Sequence, residues 1–271
     1  CVYLIGSERF RRGRLGSSIP AQTDTHSTRM ATTAAVAKDT PRPVEAIDLA
    51  PTCCKEYGVR VRKDRPCMQF VGLLSADECK AILKSIESKH ESKARSLEPG
   101  SRSQFRLNDK KLSEKIWQRI RKHLPQEMDG GEALGLREGW NHARYFPGQS
   151  VFAHMDQRQT SEEHKGDKTV ASRMSLTIYL DEGYSGAEFV FVKGARLDGS
   201  YEKAHKVLTP KAGDAVIFYQ GVPEFFHAVP PLKTKIKSIM RSDVLYKFKS
   251  EEEADVGGER GIKGGDPVPR E

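Results

Sequence analysis

His154, Met155 and Asp156 close an aromatic and apolar run. Later the chain offers Phe225-Phe226-His227 and, ten residues on, Lys237. In an extended chain residues i and i+2 point to the same face, so the His154 imidazole and the Asp156 carboxylate converge while Met155 turns away. A third ligand must then come from another strand. Two histidines and one carboxylate on one face of a metal leave three positions open, an arrangement suited to ferrous iron, dioxygen and a bidentate acid. Alone, an HxD triplet is a weak signal, because chance supplies many. The second half of the chain strengthens it. Pro210-Lys211-Ala212-Gly213-Asp214 reads as a turn delivering the apolar strand Ala215–Tyr219, and His227 follows a short loop. Lys237, on the next strand, could reach inward to pair with a dicarboxylate. Taken without that context, the alternating Lys233, Lys235 and Lys237 read as a solvated edge that discourages strand aggregation. Arg241 lies four residues beyond Lys237, on the same face of a strand, and is the other candidate cation. Asp243 and Asp214 are its candidate structural partners, and substrate is its other candidate contact.

The elements that must hold these groups are legible in outline. Ser75-Ala76-Asp77-Glu78 fits a capping box, and Cys79, Ile82, Leu83 and Ile86 follow at helical spacing, which predicts a helix over about 76–90. A second helix is expected over about 109–123, capped by Asn108 or Asp109, with Leu112, Ile116, Trp117 and Ile120 as its buried stripe. Both stripes read as core packing. After Trp140 the segments 143–152, 172–180, 188–192, 215–219 and 236–246 are rich in β-branched and aromatic residues, separated by turn signals such as Pro147-Gly148 and Asp198-Gly199. Two helices followed by many short strands indicate an α+β domain, with helices buttressing antiparallel sheets.

The 271 residues suffice for one catalytic domain with tails. Hydrophobic residues at 37% fall below the usual globular share, which points to polar tails around an ordinary core. Residues 1–59 and 250–271 lack periodicity and read as disordered or loosely attached, leaving a folded domain over 60–249 with the catalytic part over about 137–249. Residues 1–29 look like an extension ahead of a natural start at Met30, with an organelle transit peptide as the competing reading. The net charge of +8 is read mainly as a solvated surface, and no basic run is interleaved with aromatics as single-strand binding requires. Five cysteines, with Cys53 and Cys54 adjacent and no CxxC pair, argue against a disulfide framework and against a cysteine zinc site. No apolar stretch approaches the ~20 residues of a membrane span.

In order, these motifs are HxD, a strand ending Tyr179-Leu180-Asp181, Gly186-Ala187-Glu188-Phe189, PxxGDAxxF, His227 and Lys237. The series resembles the prolyl 4-hydroxylase branch of the 2-oxoglutarate/Fe(II) dioxygenases over about residues 66–248. The resemblance implies a double-stranded β-helix (jelly roll) with supporting helices. It implies Fe(II) on His154, Asp156 and His227, 2-oxoglutarate held at its far carboxylate by Lys237 or Arg241, and Tyr145 and Tyr179 lining the cosubstrate pocket. For Tyr179 a plain core role is the even alternative. Dioxygen is the co-reactant, L-ascorbate the expected reductant, and succinate and CO2 the products of a coupled C–H hydroxylation. A proline-containing peptide or protein is the implied substrate. A same-fold nucleic-acid demethylase and a non-catalytic metal-binding jelly roll are the alternatives. A cytoplasmic location is expected, since no secretory leader or retention signal is read. Three departures stand out: Gly186-Ala187 replaces the family's Gly-Gly, the segment 157–170 is long and polar, a lid or a loop, and no ER leader or retention signal is read, which counts against a secretory-pathway collagen substrate. His26, His90, His123, His142, His164 and His205 are read as non-catalytic.

Overall fold

The computed structural model describes residues 44–91, 102–159, 166–196 and 198–255. In chain order the first part forms β1 (Glu45–Asp48), α1 (Ala50–Tyr57), β2 (Cys67–Val71), α2 (Ala76–Glu91), β3 (Ser103–Asn108) and α3 (Lys110–Ile120). Next come β4 (Glu127–Met128), β5 (Gly131–Leu136), β6 (Gly139–Tyr145), β7 (Val151–His154) and β8 (Val170–Tyr179). The last part forms β9 (Ser185–Gly186), β10 (Phe189–Lys193), β11 (Lys203–Leu208), β12 (Ala215–Tyr219), β13 (His227–Val229), β14 (Leu232–Thr234), β15 (Lys237–Lys247) and α4 (Glu251–Asp255).

The strands make two principal antiparallel sheets. The larger runs β1-β2-β12-β8-β15, and the long β15 then pairs with β6 along one part of its length and with β5 along the other. The smaller runs β11-β10-β13-β7. Rings of the smaller sheet pack on the larger one: Phe189 and His227 lie 5.9 and 4.8 Å from the Phe218 ring. The fold is the expected double-stranded β-helix.

Alternation along β15 sorts the chemistry from the core. Ser238, Met240, Ser242 and Val244 turn to one face, where Met240 and Val244 join the core that contains Ile86, Ile116 and Ile120 of the helices. Lys237, Ile239, Arg241 and Asp243 turn to the other. The capping box before α2 forms in both directions, with Glu78 N–H donating to Ser75 Oγ at 3.2 Å and Ser75 N–H to Glu78 Oε2 at 2.8 Å. Asp109 caps α3 through the Leu112 N–H. Arg144 on β6 grips Glu87 of α2 with both terminal nitrogens, at 2.8 and 2.7 Å.

The PxxGD turn also behaves as its sequence demands. Asp214 accepts from the N–H groups of Lys211 and Gly72, and the backbone of residues 213 and 214 exchanges hydrogen bonds with Tyr179. Gly213 has φ +90°, and a Cβ there would sit 2.1 Å from the Leu74 carbonyl oxygen, so glycine is required.

Several boundaries differ from the expectation. Regular structure lies ahead of residue 60: β1 pairs with β2, and α1 buries Ala50, Cys53 and Cys54. Three buried residues in eight make too sparse a stripe to read, although Pro51 at the helix start and the left-handed Gly58 at its end are ordinary stop and start signals. The C-terminal boundary at 249 is also too early. Residues 251–255 form α4, docked by buried Ala254 and by Arg173, whose Nη2 donates to the Ala254 carbonyl at 2.8 Å. The expected strand 143–152 is two strands, β6 and β7, broken by the turn at Pro147-Gly148. The four described cysteines, Cys53, Cys54, Cys67 and Cys79, are free and buried. No described helix is long and apolar enough to cross a membrane. The expectations for residues 1–43 and 256–271, for His26, His164 and Cys1, and for the His90 side chain lie outside the described residues.

Candidate metal and cosubstrate site

β7 and β13 pair with His154 opposite His227, which brings the two imidazoles to 4.3 Å between ring centroids. Asp156 follows two residues later and is tied down through its carbonyl by the Gly221 N–H at 3.1 Å. One ligand atom from each of the three residues lies within 4.8 Å of the others, and no other such group occurs among the described residues. His227 and Asp156 are buried, while the His154 side chain is 40% exposed and marks the open side.

The backbone decides what these groups present. His154 Nδ1 lies 2.8 Å from the Phe152 carbonyl oxygen, and His227 Nδ1 lies 3.0 Å from that of Phe225. A carbonyl only accepts, so each Nδ1 carries the proton and each Nε2 offers a lone pair. This is the outer hydrogen bond that orients a metal-binding histidine. Burial pushes His227 down to about 3, which keeps the ring neutral. Burial alone would raise Asp156, but Arg241, with Nη2 3.1 Å from Asp156 Oδ2, together with the two histidines holds its carboxyl well below the usual carboxylate range. His154 Nε2 lies 3.5 Å from an Asp156 carboxylate oxygen, close enough for one metal ion to take both. Two imidazoles offered through Nε2 and one carboxylate fit a divalent first-row metal with room for other ligands.

The second half of the site is built by the pairing of β6 with β15, which sets Tyr145 opposite Lys237. Lys237 is 1% exposed, and its Nζ lies 5.2, 5.2 and 5.6 Å from the ring centroids of Tyr145, Tyr179 and Tyr184. Its one hydrogen bond among the described residues goes to the Ala187 carbonyl at 2.6 Å. Burial pulls the ammonium down to about 7, against the attraction of Asp181 and Glu188. The buried Tyr179 hydroxyl has no hydrogen-bond partner among the described residues. An ammonium with unused donors beside an idle hydroxyl is a receptor for a carboxylate. The Gly-Ala departure belongs to the same spot. Ala187 adopts φ 53°, in the left-handed region, and the carbonyl it carries is the Lys237 acceptor.

Lys237, Tyr145 and Tyr179 therefore come together as expected. Arg241 does not join them. Its Nη2 approaches Asp156 and, at 3.4 Å, Asp243, while Asp214 is occupied by backbone N–H groups. Tyr184 was missed, because only the β9 turn brings it over Lys237. His142, on the helix side of β6, is buried and stacks on Phe105 at 5.3 Å, away from the triad. His123 and His205 also stand outside it, beside Phe70 and Phe191.

A sequence model described as "2OG-Fe(II) oxygenase superfamily" matches residues 140–242, the segment that contains the His-Asp-His group and Lys237. The matched segment is thus similar to 2OG-Fe(II) oxygenase domains, a class of enzymes that uses Fe(II), 2-oxoglutarate and O2. No curated protein matches the chain. Among solved structures, the chain is similar to a viral collagen prolyl hydroxylase from Paramecium Bursaria Chlorella virus-1 in complex with 2OG. The identity is 19% and the TM-score 0.48, with 68% of this chain and 96% of that chain covered. It is also similar to a Pseudomonas putida prolyl-4-hydroxylase, at 18% identity and TM-score 0.44, with 68% and 93% covered. A third is a Trichoplax adhaerens prolyl hydroxylase in complex with a hypoxia inducible factor peptide fragment, at 11% identity and TM-score 0.49, with 70% and 86% covered.

Proposed function

We propose that His154, Asp156 and His227 hold Fe(II), that Lys237 with Tyr145 and Tyr179 holds the far carboxylate of 2-oxoglutarate, and that the enzyme hydroxylates peptidyl proline. The observation that carries this reading is the pair of imidazoles whose Nδ1–H groups are spent on backbone carbonyls, so that two Nε2 lone pairs and one carboxylate meet beside a buried, under-used lysine. Bound there, the ferrous ion supplies the redox chemistry that couples decarboxylation of 2-oxoglutarate to hydroxylation of a C–H bond. The protein's part is geometric and electrostatic. Lys237 neutralises and orients the diacid, the rings of Tyr145, Tyr179 and Tyr184 keep water from that contact, and the exposed side of His154 leaves the entry for a peptide. The order of motifs from HxD to Lys237 supports a peptidyl-proline substrate. L-Ascorbate is proposed as the reductant that keeps the metal ferrous.

The test is anaerobic loading with Fe(II) and 2-oxoglutarate, then oxygen and a panel of proline-rich peptides. The expected result is succinate together with a mass gain of one oxygen atom on proline. Succinate with hydroxylation confined to another residue type would overturn the prolyl assignment and keep the oxygenase.

Lys237 also sets a pH dependence. The bound dicarboxylate favours the ammonium form, so above about 7 the free protein must take up a proton to bind it. The dissociation constant for 2-oxoglutarate is expected to be flat below that point and to rise up to about tenfold per pH unit above it. Lys237→Arg, charged throughout, should flatten the curve. Anaerobic calorimetry in buffers of different ionisation enthalpy counts the proton; a wild-type curve already flat to about pH 9 would contradict the role given to Lys237.

A further inference from the structure

A second polar cleft is lined by Arg241, which also reaches Asp156, and its walls include none of the three candidate metal ligands and not Lys237. Strand register builds it. Arg106 on β3 pairs with Asn141 on β6, and Asn141 pairs with Arg241 on β15, so the three make one row across the sheet. Arg137, Gln159 and Asp243 complete the lining. Four residues of β-strand separate Arg241 from Lys237, roughly 13 Å, so one carboxylate cannot serve both cations. The cleft holds about 30 Å³, room for about two waters or one carboxylate group, and far too little for a nucleobase.

Its charges call for an anion. Arg137 is 3% exposed, and its Nη2 is buried with no hydrogen-bond partner among the described residues. Its other contacts are long, 3.5 Å from Nε to Asp243 Oδ2 and 3.4 Å from Nη1 to Gln159 Oε1. Asp243 is shared further: Arg241 lies 3.4 Å from Oδ1, which also accepts from Gln220 Nε2 at 3.0 Å. Asp156 is the other carboxylate on Arg241, and a metal would claim it. One carboxylate, Asp243, is then left for two guanidiniums. A buried guanidinium nitrogen without an acceptor is costly in a folded protein unless a ligand supplies one.

We infer that the substrate presents a carboxylate to Arg137, Arg241 and Arg106, close to the carbon that is hydroxylated; this rests on the function proposed above. The carboxylate comes either from an acidic residue beside the target or from a free C-terminus at it. Planar guanidinium forks recognise that group in two-point fashion.

Four probe peptides distinguish the sources: one proline peptide with Glu or with Gln flanking the proline, and one ending in proline as free acid or as amide. Binding is measured by calorimetry on the full chain loaded with Fe(II) and 2-oxoglutarate under anaerobic conditions. At least one acid is expected to bind about tenfold or more tightly than its amide, and Arg137→Gln or Arg106→Gln is expected to shrink that advantage. Arg106 is on the exposed rim, so its variant tests the idea even if the buried Arg137 variant fails to fold. Equal affinity within both pairs, no binding by any probe, or an advantage unchanged in every folded variant overturns the inference. The visible charge-transfer band of the wild-type protein with Fe(II) and 2-oxoglutarate is recorded first. No band removes the proposed function, and this inference with it; a band without an acid advantage removes this inference alone.

Discussion

Asp156→Ala is expected to lower 2-oxoglutarate turnover by more than about 100-fold, the upper end of what is lost when only the outer hydrogen bonds of a metal site are removed. The carboxylate is the one anionic member of the group, and it alone offsets the charge of a divalent metal there. Its removal takes away a ligand and also the nearer partner of Arg241, which keeps Asp243 at 3.4 Å. Because Arg241 is 29% exposed, water screens what remains, and the variant should still fold; a native circular dichroism spectrum checks this. Asp156→Asn keeps the shape, and turnover should fall with it too. Succinate formation near the wild-type rate in a folded Asp156→Ala protein would show that this carboxylate is not a ligand.

Lys237→Ala is expected to act differently, raising the 2-oxoglutarate concentration needed by roughly 10- to 150-fold, the equivalent of one charge-assisted hydrogen bond of about 1.5–3 kcal/mol. Metal binding should be nearly unchanged, since Lys237 touches none of the three ligand residues. The same lysine burdens the fold. Burial that holds its ammonium near 7 means that the folded chain binds that proton less well than the unfolded chain does. Lys237→Met should therefore unfold at higher denaturant while binding 2-oxoglutarate poorly, the trade expected of a residue kept for function. If Arg241→Ala raised the requirement and Lys237→Ala did not, the anchor would be the arginine. That result is not expected, because Arg241 faces Asp156 and Asp243 rather than the tyrosine pocket.

Much of this site could be read before any coordinates. The triad is legible because its chemistry is local at one end, where the i and i+2 geometry of His154 and Asp156 needs no fold, and because His227 and Lys237 follow a turn whose residues have few other uses. Lys237 and Arg241 on one face follow from strand alternation alone. The partner of Arg241 does not, since Asp156, Asp243 and Asp214 look equivalent until pairing places them. The row Arg106-Asn141-Arg241 is invisible for the same reason: it depends on the register of three strands, two of them separated by α3. Tyr184 escapes because a two-residue strand, β9, carries no periodic signal. At the N-terminus α1 escapes because three small buried residues supply little apolar contrast, and the packing that stabilises it is tertiary. The Gly186-Ala187 departure could be noticed but not interpreted, because the left-handed φ of Ala187 and its carbonyl contact with Lys237 are properties of the folded loop.

The most direct measurement is an anaerobic Fe(II) titration of the full chain in the presence of 2-oxoglutarate, followed by visible absorbance. A charge-transfer band saturating at one iron per chain is expected, absent in His227→Ala and displaced to higher 2-oxoglutarate in Lys237→Ala. A wild-type chain that binds no iron, or a His227→Ala chain that forms the same band at the same stoichiometry, would contradict the site built on His154, Asp156 and His227.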